Sequence, residues 1–251
     1  MAPVLELSGL SWSVGAATIV DGVELAVTEG EFVAVIGPNG AGKTSLFNLV
    51  SGITRPTAGT VRLDGADITG LPPHRRARRG LGRTFQSSSV FPTMTVAEHV
   101  ALAARAAGAK RIAEDGEGVR GVLERVRLAR RAGDLAGGLS HGDKRKLELA
   151  VLLAPTLAQG GSSPAGPRLM LLDEPMAGVA AEEVGELTDV IRTLHRTEGR
   201  TVLMVEHHMD ILLGLADRVA VMHHGTLLAT GTPDAVMADP TVQEAYVGEE
   251  L

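Results

Sequence analysis

The order of hydrophobic and polar residues predicts that the chain begins with paired strands and continues with a buried one. Residues 4–10 and 18–27 alternate apolar and polar side chains, which is typical of antiparallel strands with one covered face. Residues 31–36 are apolar throughout their interior, as in a strand that is buried on both faces. Residues 60–63, followed by an Asp64-Gly65 turn, predict a short hairpin.

The middle of the chain changes to helical spacing. A short basic helix begins at Pro72-Pro73, ends at Gly80 and is expected to be exposed, and residues 81–86 predict a strand. Residues 95–131 are rich in alanine, with breaks near residues 108 and 116–118, and predict an inserted helical region. A set of its apolar side chains recurs at helical spacing and is expected to pack in a core: Val119, Val122, Leu123, Val126 and Leu128.

The second half of the chain alternates strands with helices. Strands are predicted at residues 169–174, 201–205, 218–222 and 226–229, and helices at residues 181–195 and up to about residue 216. This alternation implies a parallel sheet. Residues 158–167 are rich in Gly, Ser and Pro and predict a mobile surface loop.

A glycine-rich loop joins the buried strand at residues 31–36 to a helix predicted at residues 43–51. Its sequence is Gly37-Pro38-Asn39-Gly40-Ala41-Gly42-Lys43-Thr44, followed by Ser45. Glycines let the backbone approach an anion, so that successive N–H groups and the helix N-terminus point at phosphate oxygens. Lys43 adds a point charge for β and γ phosphates, and the hydroxyl of Thr44 suits a magnesium ion. The alternative is a glycine turn that precedes a helix by chance.

Two carboxylates follow the apolar strand at residues 169–172. Ligands of open α/β sheets bind at the carboxyl ends of strands. We therefore expect Asp173 to hold magnesium directly or through its water, and Glu174 to orient or deprotonate an attacking water. Because strands that end in Asp-Glu are common, coincidence is again the alternative.

Composition restricts the environment of the chain. It has 251 residues and no cysteine, which suits one large domain or a core with a subdomain and excludes disulfides and thiolate sites. No apolar stretch approaches the roughly 20 residues of a membrane span, and residues 1–6 lack the pattern of a secretory signal, so we expect the chain in the cytosol. Four Phe, one Tyr and one Trp provide no stacking surface, which argues against nucleic acid as a partner.

The net charge of −6 is unevenly distributed along the chain. Residues 75–146 carry 16 Lys and Arg against 7 Asp and Glu, which leaves 8 against 23 elsewhere. A basic middle suits anionic headgroups, phosphates or the carboxylates of a partner. Solvated helix faces explain the same charges equally well.

With these motifs together, the chain resembles the ATP-binding subunits of ABC transporters over nearly its full length. The resemblance identifies residues 37–44, with Ser45, as Walker A; Gln86 as the Q-loop glutamine; residues 139–143, with Ser140, His141 and Gly142, as the signature segment; residues 169–173 as Walker B; Glu174 as the catalytic glutamate; and His207 as the switch histidine. It implies ATP and Mg²⁺ as cofactors. It also implies that Thr44, Gln86 and Asp173 serve the metal, and that Glu174, His207 and Gln86 serve catalysis.

The same resemblance implies the fold and the assembly. We expect an α/β fold with a P-loop (RecA-like) core, an antiparallel β subdomain and an inserted α-helical subdomain, divided at residues 1–90, 91–150 and 151–251. The last of these parts is expected to contain a C-terminal hairpin and helices. In this family the signature segment completes the nucleotide site of a second ATP-binding subunit, which is either a paralogue or a second copy. Transmembrane permease subunits, and indirectly a solute-binding protein, are the other implied partners, with the chain at the cytoplasmic face of the membrane.

Within the family, the chain is similar to the branched-chain amino acid and urea importers. The shared segments are residues 83–86, 139–142, 174–178, 205–210 and 245–249. The expected function is an ATPase subunit of such an importer. The alternatives are an ATPase of the lipopolysaccharide-export type, a soluble ABC ATPase that acts outside transport, and a nucleotide switch without turnover, against which Glu174 argues.

Some positions depart from the family pattern. His141 and Asp143 replace a glycine and the glutamine of the signature, and Ala180 replaces the acidic residue of the D-loop. Val14 stands where an aromatic residue usually stacks on adenine, and Trp12, which shares its strand face, is either a substitute or a packed edge residue. The loop at residues 155–167 is longer than usual by roughly ten residues, which surfaces tolerate.

His207 is the histidine for which a functional role is favoured. A single histidine is more often structural, and the pairs at residues 207–208 and 223–224 lack the spacing of a zinc-binding helix. Because His207 follows the strand after Walker B, it is placed to reach a γ-phosphate.

Overall fold

The structure is a computed structural model, and it describes residues 3–85, 89–110, 112–159 and 166–247. The strands are β1 Pro3–Val14, β2 Ala17–Thr28, β3 Phe32–Ile36, β4 Ala58–Leu63, β5 Ala66–Asp67, β6 Leu81–Arg83, β7 Leu169–Asp173, β8 Val202–Val205, β9 Arg218–His223 and β10 Thr226–Gly231. The helices are α1 Lys43–Ser51, α2 Pro73–Ala77, α3 Val96–Ala106, α4 Glu117–Arg125, α5 His141–Leu153, α6 Ala181–Arg192, α7 Met209–Leu215, α8 Pro233–Met237 and α9 Pro240–Val247. Within this described part of the chain, no helix has the length and apolar character needed to span a bilayer.

The chain divides into two compact units. The first contains Met1–Leu81, Leu169–Asp173 and Gly199–Leu251, and the second contains Gly82–Arg168 and Glu174–Glu198. The predicted α/β fold, with an antiparallel sheet beside a parallel one, is confirmed.

The first unit is built on two sheets. One is antiparallel with the order β2-β1-β4-β5, and the other has the order β10-β9-β3-β8-β7-β6. Strand β3 lies between β8 and β9 in parallel pairing and is buried along its whole length, which explains its apolar sequence. Apolar side chains from both sheets and from α1 pack in one core.

The parallel sheet implied by the alternation is wrong for the last strand, which instead forms a hairpin, the element expected in the C-terminal part. Strand β10 pairs with β9 in the antiparallel sense. Only His224 and Gly225 separate the two strands, with φ values of 46° and 82°. A two-residue turn with positive φ at both positions joins antiparallel strands, whereas a parallel pair needs a long crossover.

The second unit contains the predicted helical insertion. Helix α3 begins with a capping box in which the Thr95 N–H donates to Glu98 Oε2 at 2.6 Å and the Glu98 N–H donates to Thr95 Oγ1 at 3.2 Å. The apolar residues of the insertion that were predicted to pack in a core are buried: Val119, Val122, Leu123, Val126 and Leu128. Ser140 caps α5 by accepting the Asp143 N–H at 3.1 Å, as its position before the helix predicts.

Two predictions about exposed segments need correction. Arg76, in the basic helix predicted to be exposed, is 1% exposed, because its guanidinium caps the carbonyl end of α1. The expected loop at residues 158–167 is helical up to Gln159 and buries Pro167, while residues 160–165 lie outside the described residues. Local composition does not reveal either outcome, because each depends on packing against distant segments.

Candidate functional site

The glycine-rich loop at residues 37–42 carries the chain from the end of β3 into α1. Gly37 and Gly42 have φ values of 149° and 100°, in the region that favours glycine. A Cβ at Gly37 would lie 2.1 Å from the carbonyl oxygen of Met222, and one at Gly42 would lie 2.9 Å from that of Ile19. The loop therefore needs glycine at both positions for its close approach to neighbouring backbone.

Lys43 is the first residue of α1, and its ammonium group lies over the loop. The side chain is 7% exposed and donates to the carbonyl oxygens of Gly37 at 2.5 Å and Pro38 at 2.8 Å. The first turn of α1, which the structure describes in full, contains no acidic residue. A lysine and a helix N-terminus without an acidic residue in its own first turn thus place positive charge at one loop, which suits an anionic ligand.

The carboxyl ends of β3, β8 and β7 lie side by side at one edge of the six-stranded sheet. Val35 of β3 pairs with Val205 of β8, and Val205 pairs with Asp173 of β7. The structure therefore brings Asp173 to the same edge as the glycine-rich loop. Asp173 is 1% exposed, so its carboxylate is shielded from bulk solvent at this edge.

The end of β8 contributes two more polar residues to this edge. Glu206 is buried, and its Oε2 accepts the backbone N–H of His207 at 2.9 Å, while His207 itself is exposed. Sequence reasoning assigned a role to His207 and none to Glu206. The available signal was an acidic residue directly after a buried strand, which is the same pattern that identified Asp173.

Glu174 directly follows Asp173 and is the first residue of the second segment, Glu174–Glu198, of the second unit. It has φ 48°, a left-handed conformation that costs a non-glycine residue roughly 1–2 kcal/mol. Its carbonyl oxygen accepts the N–H of Ala177 at 3.0 Å, which closes a turn after β7. Strained backbone of this kind is concentrated at functional sites, which makes Glu174 a candidate for a functional role.

The signature segment forms the N-terminus of α5 in the second unit, where Ser140 and Gly142 both contact Glu183 of α6. Ser140 Oγ donates to Glu183 Oε1 at 2.6 Å, and the Gly142 N–H donates to Glu183 Oε2 at 3.3 Å. His141, between them, is exposed. Sequence reasoning missed Glu183, because a contact over 43 residues leaves no local pattern.

Asp143, which departs from the family signature, is held by two cations. Its carboxylate forms ion pairs with Lys146 at 2.6 Å and with Arg131 at 2.9 Å. Lys146 also pairs with Glu186 at 3.0 Å. The negative charge of Asp143 is thereby balanced by side chains of its own unit.

Gln86, predicted for metal binding and catalysis, lies outside the described residues, but both flanks of its segment are described. Arg145 Nη1 of α5 donates to the carbonyl oxygen of Phe85 at 2.7 Å, and Glu148 Oε1 accepts the N–H of Ser89 at 3.0 Å. Arg145 and Glu148 form an ion pair at 3.0 Å with each other. Helix α5 therefore holds both sides of this segment, a link that sequence reasoning did not find.

Trp12 and Val14 occupy the last part of β1. Trp12 is half-buried and packs against the core of the first unit, whereas Val14 is 56% exposed. This packing is the edge-residue role that the sequence offered as one of two interpretations of Trp12. Stacking of Trp12 on adenine stays a prediction.

The residues at the sheet edge fit a magnesium ion that is held together with a phosphate ligand. Among the described residues there is no cluster of three His, Cys, Asp or Glu side chains that would enclose a metal. The donors offered are the carboxylate of Asp173 and the exposed hydroxyl of Thr44. Magnesium keeps several waters and takes one or two protein oxygens beside substrate phosphates, so this small donor set is suitable.

Comparisons with known proteins agree with this geometry. The sequence model of the family described as ABC transporter matches residues 20–177. The model described as branched-chain amino acid ATP-binding cassette transporter matches residues 226–251.

The similarity to individual known proteins extends over nearly the whole chain. The high-affinity branched-chain amino acid transport ATP-binding protein BraF of Pseudomonas aeruginosa is 38% identical, with 98% of each chain covered. The lipopolysaccharide export system ATP-binding protein LptB of Haemophilus influenzae is 34% identical, with 99% of this chain and 98% of LptB covered. A crystal structure of an ABC transporter cassette in its ADP conformation has a TM-score of 0.84 and 29% identity, with 99% of this chain and all of that chain covered. The chain belongs to the ATP-binding subunits of ABC transporters, and its cassette binds ATP and hydrolyses it in support of transport.

Proposed function

We propose that this ATPase subunit drives the import of branched-chain amino acids or of a related small amide or urea compound. The observation that carries the proposal is the match of residues 226–251 to the C-terminal segment of branched-chain amino acid cassettes. This segment lies outside the part of the chain that matches the general ABC family. The match therefore favours one transport group within the ABC family.

In the proposal, the glycine-rich loop holds the nucleotide. Backbone N–H groups of the loop and the N-terminus of α1 bind phosphate oxygens, and Lys43 moves part of its hydrogen bonding from the loop carbonyls to the β and γ phosphates. The cofactor-binding set is Gly37, Pro38, Asn39, Gly40, Ala41, Gly42, Lys43, Thr44 and Ser45. The positive charge at the start of α1 is the structural support for this role.

Hydrolysis requires a positioned water and a neutralised phosphate. Glu174 orients or deprotonates the attacking water, and His207 contacts the γ-phosphate from the end of β8. Magnesium, when bound, neutralises phosphate charge, with Thr44, Asp173 and Gln86 as its protein ligands. The burial of Asp173 at the shared sheet edge supports this assignment.

ATP joins two ATP-binding subunits in this proposal. Ser140, His141 and Gly142 present a helix N-terminus to the nucleotide of a partner subunit, which is a paralogue or a second copy. The γ-phosphate then bridges two chains, and its removal by hydrolysis releases them. The described length of α5, from His141 to Leu153, is sufficient for a substantial helix dipole.

The membrane components convert this cycle into transport. Permease subunits that dock close to the Gln86 segment and the helical insertion would place the chain at the cytoplasmic face of the membrane, with a solute-binding protein as an indirect partner. Arg145 and Glu148 connect α5 to both flanks of that segment, and we propose that these contacts transmit movement of α5 to it. The lipopolysaccharide-export alternative has a less similar relative in LptB.

Copurification followed by a transport assay tests the proposal. The chain is isolated with its membrane subunits, reconstituted in vesicles with the associated binding protein, and supplied with labelled leucine, isoleucine, valine or urea. We expect ATP-dependent uptake of at least one of these compounds and none with Lys43→Ala. Uptake of sugars alone, or copurification with a lipopolysaccharide-transport assembly, would contradict the assigned substrate class.

A further inference from the structure

A single carboxylate, that of Glu183, accepts hydrogen bonds from two residues of the signature segment, Ser140 and Gly142. Glu183, in the first turn of α6, accepts the hydroxyl proton of Ser140 at 2.6 Å with Oε1. Its Oε2 accepts the N–H of Gly142 at 3.3 Å. These two residues are the ones assigned above to the phosphate of a partner subunit.

Each of these donors has only one proton to give. A serine hydroxyl donates one hydrogen bond, and a backbone amide donates one. The orientation of Ser140 is fixed further, because its Oγ also accepts the N–H of Asp143 at 3.1 Å. While Glu183 accepts from both residues, a phosphate oxygen at the same position finds both donors engaged and meets a like charge.

Close packing shows that the contact is built into the fold. A Cβ on Gly142 would lie 3.0 Å from three atoms of Glu183, namely Cβ, Cδ and Oε2. The absence of a side chain at Gly142 is therefore what admits the carboxylate. The N-termini of α5 and α6 both favour negative charge. The position of the Glu183 carboxylate therefore suits an anion.

We propose that the Glu183 carboxylate is an internal substitute for a nucleotide phosphate at the N-terminus of α5, and that it must release Ser140 and Gly142 before ATP of a partner subunit binds there. The proposal rests on the function proposed above, in which the signature segment contacts the partner's nucleotide. Glu183 thereby opposes dimer formation until the ATP concentration is sufficient. It acts through Ser140 and Gly142 and is a positioning residue.

Dimer formation as a function of ATP concentration tests this role. The background is Glu174→Gln, which is expected to bind ATP without hydrolysing it, and dimers are measured by sedimentation with Mg²⁺-ATP. The chain is used alone and together with any ATP-binding subunit that copurifies with it. Into this background we introduce Glu183→Gln, which keeps the shape of the side chain and removes its charge.

We expect Glu183→Gln to lower the ATP concentration for half-maximal dimer formation by about fivefold or more, because charge-assisted hydrogen bonds no longer compete with the phosphate. The affinity of the dilute monomer for a fluorescent ATP analogue should stay the same, since Glu183 does not belong to the chain's own glycine-rich loop. Glu182→Gln is the matched control, because it removes the same charge from the preceding, exposed residue of α6. It should leave the ATP requirement unchanged.

Glu183→Asp provides a second variant, which keeps the charge but shortens the reach to Ser140 and Gly142. It too should lower the ATP requirement. An unchanged or increased requirement in both Glu183 variants, with melting temperatures like that of the parent, would overturn the inference. If the Glu174→Gln background forms no ATP-dependent dimer with either partner, the proposed function itself fails, and the two failures are thus distinguishable.

Discussion

Arg145 and Glu148 form a buried ion pair within α5, with 3.0 Å between Arg145 Nη1 and Glu148 Oε2. Their side chains are 7% and 9% exposed. Arg145 also donates to the carbonyl oxygens of Phe85 at 2.7 Å and Ala177 at 3.5 Å, and Glu148 accepts from Ser89. One turn of α5 is thereby connected to the flanks of the Gln86 segment and to the turn after Glu174.

Arg145→Met should destabilise the protein by about 3 kcal/mol, because it leaves the Glu148 charge buried without this partner. The double variant Arg145→Met/Glu148→Met should recover part of this loss, since no charge then remains buried. Urea unfolding measures the free energy of unfolding of the single and the double variant. Arg120→Met, which breaks an exposed pair with Glu124, is the control and should cost less than about 0.5 kcal/mol. Equal effects of Arg120→Met and Arg145→Met would contradict the described burial.

Lys43→Ala should weaken ATP binding by at least about tenfold, because the charge that is held over the glycine-rich loop is lost. Equilibrium binding of a fluorescent ATP analogue is the measurement. The control is Lys110→Ala, which removes the same charge at an exposed position in the second unit. Unchanged affinity in Lys43→Ala would count against the assignment of this loop.

Glu174→Gln should reduce ATP turnover by roughly 100-fold or more while nucleotide binding is kept, since only the base for the attacking water is removed. Glutamine meets the same left-handed backbone restriction as glutamate, so stability should change little. Phosphate release and nucleotide binding are measured on the same preparation, with Glu244→Gln as an exposed control. Turnover that matches the parent's would exclude the assigned role.

Arg76→Lys should destabilise the first unit by about 3 kcal/mol. The guanidinium donates to the carbonyl oxygens of Leu49, Val50, Thr69 and Leu71 at 2.7–2.9 Å, and a single ammonium cannot satisfy them all. Burial lowers the pKa of Arg76 to about 10, so the group remains charged at neutral pH in folded and unfolded chains. The loss of stability should therefore be constant from pH 6 to about pH 8.5.

The neighbouring Arg75→Lys is the control for this prediction, because Arg75 is exposed on the same helix. Arg75→Lys should change the free energy of unfolding by less than about 0.5 kcal/mol. Thermal unfolding at several pH values separates the outcomes. A similar loss in both variants, or a loss that varies strongly across this pH range, would show that Arg76 does not act as a buried cap.

Local patterns predicted those features that depend on local chemistry. The bounds of α1 follow from Gly42 and Gly52, which have positive φ at its two ends. Asp173 was assigned to the metal because it follows a buried strand, and this role stays a prediction. The contacts of Arg76 with the end of α1, of Arg145 with Phe85 and of Glu183 with Ser140 were not predicted. They join residues 26–60 positions apart, and helical spacing identifies only neighbours on one helix.

For the direction of β10, two features of the sequence point to different answers. The alternation of strands and helices implies a parallel strand, whereas the two-residue connection through His224 and Gly225, both with positive φ, favours a hairpin. A strand that directly follows another with two residues between them has only one possible direction. The length of this connection was therefore a better guide than the alternation of strands and helices.

The most direct test is a crystal structure of the Glu174→Gln variant with ATP and magnesium. The account predicts two subunits with each nucleotide between them, its phosphates within hydrogen-bonding distance of Lys43 of one chain and Ser140 of the other, and the metal beside Thr44 and Asp173. A nucleotide bound away from the glycine-rich loop, or a chain that binds no ATP at all, would contradict it.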